Sequence, residues 1–346
     1  MKFSEIARQL SEAAGGALAC DRGSDPDIAG VAAIDAAVPG TLSYIEGDAF
    51  ADRVATTAAS ALVLPAQTAL QQQASDRGLA WVASEQPRLT FAQAIALFYR
   101  PFQPAPHCHP SASIDPSATL GQDVAVGAGA VIQAGATLGE GVRVHPGAVV
   151  YPQAEVGERS VLHANCVVEE RACIGPDCVI HSGATIGGEG FGFVQTAQGW
   201  YKMPQSGRTV LEAGVEVGCN SNIDRPAVGE TRVGRNTKID NAVQIGHGCR
   251  IGEACALASQ VGLAGGVTIG NRVLLGGQVG VANQAHVGDG AVATAKAGVT
   301  SNVGAGQVVS GYPLLPHSLF LRVSAIYRRL PELYQSIKTL KQRLPG

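Results

Sequence analysis

Aromatic residues make up only 5% of this 346-residue chain and charged residues only 15%, with two Met and two Trp in all. So few large rings argue against the core of a sandwich or a helical bundle. No apolar run approaches the roughly 18–20 residues of a membrane-spanning helix. A formal net charge of −3 gives the chain as a whole no electrostatic grip on nucleic acid. Eight cysteines are present but no C-x-x-C pair, so metal-ribbon and dithiol spacings are missing. Glu5, Arg8 and Glu12 break up any apolar stretch in residues 1–20, which therefore do not read as a signal peptide. The expected location is the cytoplasm, with the cysteines reduced.

What is abundant is glycine, 44 residues of it, together with a beat of six. Ile114, Leu120, Val126, Ile132 and Leu138 open a series that runs to Ile186. It resumes at Val217 and Ile223, slips by four, and continues from Val233 to Val299. The residue two before each aliphatic is mostly small (Ala118, Ala130, Ala136, Ala148, Ser160, Ala184). Cys166, Cys178, Cys249 and Cys255 occupy that same slot, which reads as packing. Such hexads mark a parallel β-helix, in which each short strand sends one aliphatic inward and three strands close a coil. Residues eighteen apart then stack in columns. The fold class is mainly β.

Residues 1–105 lack the beat and read as a small α/β unit. Phe3, Ile6, Ala7, Leu10 and Ala14 give an amphipathic helix stopped by Gly15-Gly16. A strand pair at 29–33 and 41–45 turns at Pro39-Gly40. A helix over 49–58, strands at 61–64 and 80–83 and a helix at 91–99 complete the unit. A Pro-rich linker, 101–110, leads into the rod of 106–311. The pause between Ile186 and Val217 holds Gly-Gly-Glu-Gly-Phe-Gly-Phe (187–193) and Trp200-Tyr201-Lys202-Met203-Pro204-Gln205, an insertion of the kind that lines a solenoid's binding face. Residues 312–346 form a helical tail, with segments at 319–330 and 332–343 split by Pro331. It carries Arg322, Arg328, Arg329, Lys338, Lys341 and Arg343 against Glu332 alone. Charge so segregated suggests an acidic partner.

Three histidines, His145, His163 and His181, lie eighteen apart and should stack at about one strand spacing, ~4.8 Å. His247 differs, because it sits in the polar run Asp240-Asn241-Ala242-Val243-Gln244-Ile245-Gly246-His247-Gly248. Glycines on either side leave room for a substrate, and Asp240 could orient the ring if the turn joins them. A positioned imidazole, which titrates near neutrality, is the usual general base.

Five segments resemble those of the UDP-3-O-(3-hydroxyacyl)glucosamine N-acyltransferases of lipid A biosynthesis. They are Gly190-Phe191-Gly192-Phe193, Lys202-Met203-Pro204-Gln205, Ile223-Asp224-Arg225, Ile239-Asp240-Asn241-x-Val243-Gln244-Ile245-x-His247 and Ser310-Gly311-Tyr312-Pro313. Leu42-Ser43-Tyr44-Ile45 and 55–61 match as well. The resemblance implies a left-handed parallel β-helix assembled as a homotrimer, with active sites between neighbouring rods. It implies a uridine-binding N-terminal domain and a tail that meets acyl carrier protein, the 3-hydroxyacyl donor. The acceptor it implies is UDP-3-O-acylglucosamine, and no cofactor or metal is called for. By the same resemblance His247 is the catalytic base, the Gly265 N–H is the oxyanion donor and Asp240 supports the base. Tyr44 and Phe50 fall where the family stacks uracil. Phe191, Phe193, Asn241 and Gln244 fall on the substrate side.

The chain departs from the family where a second His is expected, because Gly276-Gly277-Gln278-Val279-Gly280-Val281-Ala282-Asn283 leads to Gln284. Gln284 can hydrogen-bond substrate but cannot carry a proton. Glu189, Pro226 and Gly47 are further departures. Two other readings are another acyltransferase acting on a UDP-sugar and a non-catalytic sugar-nucleotide binder. A zinc site of the His-x4-His kind is ruled out by spacing.

Overall fold

The computed structural model describes residues 1–47, 50–311 and 314–343. It divides into two compact units, Met1–Phe102 and Gln103–Gly346. In the first unit a five-stranded sheet runs in the order Cys20–Asp21, Ala80–Ser84, Ala61–Pro65, Thr41–Tyr44, Gly30–Val31. All pairs but the first are parallel. Every residue of Ala61–Pro65 is buried. Ala61 and Val63 pack with the helices Phe3–Ala13 and Pro87–Phe98, while Leu62 and Leu64 pack with Ala51–Thr56 and Thr68–Asp76. The period-2 alternation thus feeds two cores, as in any parallel sheet covered on both faces.

The strands near residues 30 and 41 pair in parallel and do not form a hairpin, because the 3-10 turn Ile34–Ala36 carries the chain back before the next strand begins. The helix Thr68–Asp76 and the edge strand Cys20–Asp21 were not read from sequence at all. Ala49, the expected start of the second helix, lies outside the described residues.

The second unit is a left-handed parallel β-helix of three sheets with nine, ten and ten strands. Most strands are two residues long, and partners lie eighteen positions apart, as in Thr137↔Glu155, Arg143↔Val161 and Val149↔Val167. The aliphatics of the beat from Val126 to Val299 are buried in one continuous core. Three residues after most of these aliphatics the backbone enters the left-handed region, at Gly129, Gly135, Gly141, Gly147, Gln153 and Arg159 for example. That turn bends the chain sharply enough for six residues to span one side of a triangle. The spacing widens to 37 at Val179↔Glu216 and to 22 at Glu216↔Lys238, then returns to 18. The wider interval holds the hairpin Phe193–Thr196 with Gly199–Lys202, and the narrower one the short loop 226–229.

The helices His317–Tyr327 and Leu330–Arg343 follow, and all their residues are exposed. Pro331 falls in the first turn of the second helix and not between the two, a position where its missing N–H goes unused. No helix among the described residues is long and apolar enough to cross a membrane.

The expected histidine column is present. Ring centroids of His145 and His163 are 4.7 Å apart and those of His163 and His181 are 4.9 Å apart, all stacked. His181 Nε2 lies 2.9 Å from Glu216 Oε1. Burial pushes the His145 and His163 imidazoles below the ordinary value, and for His163 the neighbouring rings add to this. An imidazole with a depressed folded-state pKa takes up its proton more readily when unfolded, so its stabilising share is present above pH ~6.5 and fades as pH falls. Melting temperature is therefore expected to drop by a few degrees between pH 7.5 and pH 5.5. The drop should shrink in His145→Asn/His163→Asn; an equal drop in that variant would remove the ladder as its cause.

Candidate active site

The strand Gln244–Ile245 buries Ile245 and ends in a corner where His247 stands outward, pinned by a hydrogen bond from the Gly266 N–H to the His247 carbonyl at 2.9 Å. Its imidazole lies directly on the next coil. A Cβ on Gly265 would stand 2.7 Å from both Cε1 and Nε2 of His247. From the other side the inserted loop closes in, since a Cβ on Gly190 would meet the His247 Cβ at 2.5 Å. At Gly190 only glycine fits, because the Arg225 carbonyl would also lie 2.8 Å away; at Gly265 any Cβ would have to push the ring aside. The ring faces an open depression of about 550 Å³, also lined by Phe191, Asp224, Gln244, Gly265 and Asn283.

Asp224 belongs to the strand Asn222–Arg225, whose alternation sends Ile223 and Arg225 inward and leaves Asp224 facing out. Gln244 Nε2 donates to Asp224 Oδ2 at 3.0 Å. Burial pushes this carboxyl above its usual range, against the opposing pull of the Gln244 bond and the His247 charge. The adjacent Arg225 is buried and ties the inserted loop to the rod. Its Nε donates to the Gln205 carbonyl at 2.9 Å and its Nη1 to the Gly187 carbonyl at 3.2 Å, with Glu169, Glu170 and Glu189 all within 4 Å. A buried guanidinium so fully partnered fixes the loop that carries Gly190 and Phe191. Gln205, itself buried, leaves Oε1 without a donor among the described residues.

The other expected site residues fall elsewhere. Within one chain the turn does not bring Asp240 to His247. Asp240 leaves the neighbouring sheet at Lys238–Ile239 and is held by Ser259, whose Oγ and N–H donate to Oδ2 at 2.5 and 3.0 Å. Those bonds hold its carboxyl below the usual range. Asn241 accepts the Cys219 N–H at 2.7 Å and lies beside Asp240 in a different recess, with His181, Glu216 and Lys238. Gln284 occupies a left-handed corner (φ 59°), with Cγ 3.3 Å from where a Gly266 Cβ would be, and its neighbour Asn283 is the one that lines the depression. Phe193 packs edge-on to Phe191 at 5.1 Å. In the first unit one face of Tyr44 is stacked on Phe91 at 4.6 Å, and Phe50 is exposed.

A family model of UDP-3-O-(3-hydroxymyristoyl) glucosamine N-acyltransferase matches residues 25–97, and one of bacterial transferase hexapeptides (six repeats) matches residues 135–170 and 154–188. A UDP-3-O-acylglucosamine N-acyltransferase of Trichodesmium erythraeum is 65% identical over 345 residues, covering 99% of this chain and 100% of its own. The chain belongs to the UDP-3-O-acylglucosamine N-acyltransferase family. A second N-acyltransferase of that name, from Gloeothece citriformis, is 59% identical over 99% of each chain. Among solved structures, an Arabidopsis UDP-N-acetylglucosamine acyltransferase aligns with a TM-score of 0.54 at 24% identity, over 65% of this chain and 83% of that one. That likeness is one of fold.

Two residues that line the depression were not among the candidates named from the sequence. Asn283 lies two coils along from His247, at 247, 265 and 283, so counting by eighteens would have found it. Asp224 lies across a coil of 22 residues, so the same count misses it.

Proposed function

We propose that the protein transfers a 3-hydroxyacyl chain from acyl carrier protein to the 2-amine of UDP-3-O-(3-hydroxyacyl)glucosamine in lipid A biosynthesis. The observation that carries the mechanism is His247 lying on Gly265 at the edge of the depression, with the Gly265 N–H given to no acceptor among the described residues. His247 acts as general base, removing a proton from the amine nitrogen as that nitrogen attacks the thioester carbonyl. The C–N bond forms, negative charge collects on the carbonyl oxygen, and the Gly265 N–H receives it. One such preorganised donor is worth about 2.7–4 kcal/mol in the transition state. Collapse breaks the C–S bond, and the imidazolium returns its proton to the departing thiolate. The reaction balances without a metal or an organic cofactor.

Three rods around one axis suit this chemistry. The recess of Asp240 and Asn241 and the depression of His247 open from different sheets of the rod, so a homotrimer can close one chain's Asp240 side on a neighbour's His247. Tyr44 keeps one ring face for uracil, with Phe50 as the opposing ring. Gln284, one residue beyond Asn283, reaches for the pantetheine arm. The tail presents its six cations to solvent, where a strongly acidic carrier protein would meet them. A cytoplasmic location fits both soluble substrates.

The reading is tested by offering the purified protein UDP-3-O-(3-hydroxyacyl)glucosamine with a panel of 3-hydroxyacyl carrier proteins. Amide product with at least one donor is expected. UDP-sugar binding with no product from any donor would overturn it in favour of a non-catalytic binder.

A further inference from the structure

An amine acceptor near pH 7 arrives mostly as ammonium, since amino groups of this kind titrate near pH 8. The ammonium nitrogen carries three protons and the amide product carries one, so two must leave for each bond made. His247 accounts for one of them, which ends on the thiol. The other must be gone before attack, because a nitrogen without a lone pair is no nucleophile, and an acceptor beside the amine lets the abundant ammonium form be used as well as the minor free amine. Two titratable side chains line the depression, His247 and Asp224.

We propose that Asp224 is a second catalytic residue: its carboxylate receives the substrate ammonium, takes the first proton and passes it to solvent, leaving the free amine in front of His247. This inference rests on the amide-forming reaction proposed above. The geometry supports a division of labour. Gln244 holds one carboxylate oxygen, Oδ2, and no donor among the described residues takes Oδ1, which remains for the ammonium. Asp224 and His247 share the cavity but are not in ion-pair contact, so a nitrogen can sit between them. The strand Asn222–Arg225 turns Arg225 to the opposite side, which keeps its cation from competing with the substrate's.

The electrostatics agree. Burial raises the Asp224 carboxyl, which brings carboxylate–ammonium and carboxylic acid–amine closer to balance than they are in water. His247 is the charged group it feels. Buried Cys249 is the other titratable neighbour, and burial holds its thiol up at about 11, so it stays protonated throughout.

The test is the pH dependence of kcat/KM for the full-length protein and for Asp224→Asn, which keeps the shape and the Gln244 contact. At pH 7 the variant is expected to lose on the order of 10-fold, which is about the share of an amine titrating near pH 8 that arrives as ammonium. The deficit should shrink steeply toward about pH 9, where substrate arrives as free amine. An unchanged rate, or an equal loss at every pH, would overturn the proposal, the latter marking a structural role only. If Asp224→Asn does not fold, Gln244→Leu serves instead. It strips the donor from Asp224 and should move the acid limb of the profile upward; an unmoved limb overturns the proposal. Wild-type protein that makes no amide at any pH would instead defeat the reaction itself, and this proposal with it.

Discussion

Substituting alanine for His247 is expected to lower amide formation by about a thousandfold or more while leaving the fold and UDP-sugar binding intact. The magnitude follows from the role, since a positioned base contributes roughly 10²–10⁴. The intact fold follows from the packing. The inward residue of that corner is Ile245, whereas the His247 side chain stands outside the aliphatic column. The bond from Gly266 is accepted by the His247 backbone and survives any side chain. Circular dichroism and melting should therefore match wild type. A variant that keeps more than a tenth of the rate would mean that another group removes the amine proton.

Much of the rod was legible because one physical rule repeats along it. A buried aliphatic every six residues and a left-handed corner three residues later leave the chain few other ways to close. Gly265, given by the resemblance, lies under His247 as the eighteen-residue coil requires. The N-terminal unit was harder. The strand at 61–64 was legible as a short apolar run, but the two-residue edge strand Cys20–Asp21 is too short to show a pattern, and the helix Thr68–Asp76 has only Leu70 and Ala74 to betray its inner face.

In the site, the separation of Asp240 from His247 within one chain has a clear cause. Seven residues separate it from His247, which on a hexad rod is one full side of the triangle plus one residue. The two therefore leave different corners and, in one chain, line different recesses. Asp224 was overlooked for the complementary reason. The loop at 226–229 stretches its coil, and a column read at constant spacing passes it by. Insertions that break the beat are thus where the rod gathers its polar chemistry. Arg225, bound to the loop carbonyls of Gly187 and Gln205, holds that irregular backbone against the regular coils.

Gly265→Ala should separate chemistry from stability most sharply. Gly265 lies outside the left-handed φ region, so its backbone accepts alanine without strain. The added methyl would instead stand 2.7 Å from Cε1 and Nε2 of His247, well inside contact distance. The ring is the part that can yield, and it swings away from the substrate. The base is displaced, and kcat should fall by about 10²–10³ with melting within a degree or two of wild type. Gly266→Ala is the contrasting control. There φ is +69°, so alanine strains the backbone, and the expected result is lower stability, by roughly 1–2 kcal/mol. The decisive comparison is the double variant His247→Ala/Gly265→Ala. If the methyl acts by displacing the ring, the double variant should lose little beyond His247→Ala alone. If the two losses multiply, Gly265 matters chiefly through its own N–H, and the ring and the oxyanion donor work as separate parts.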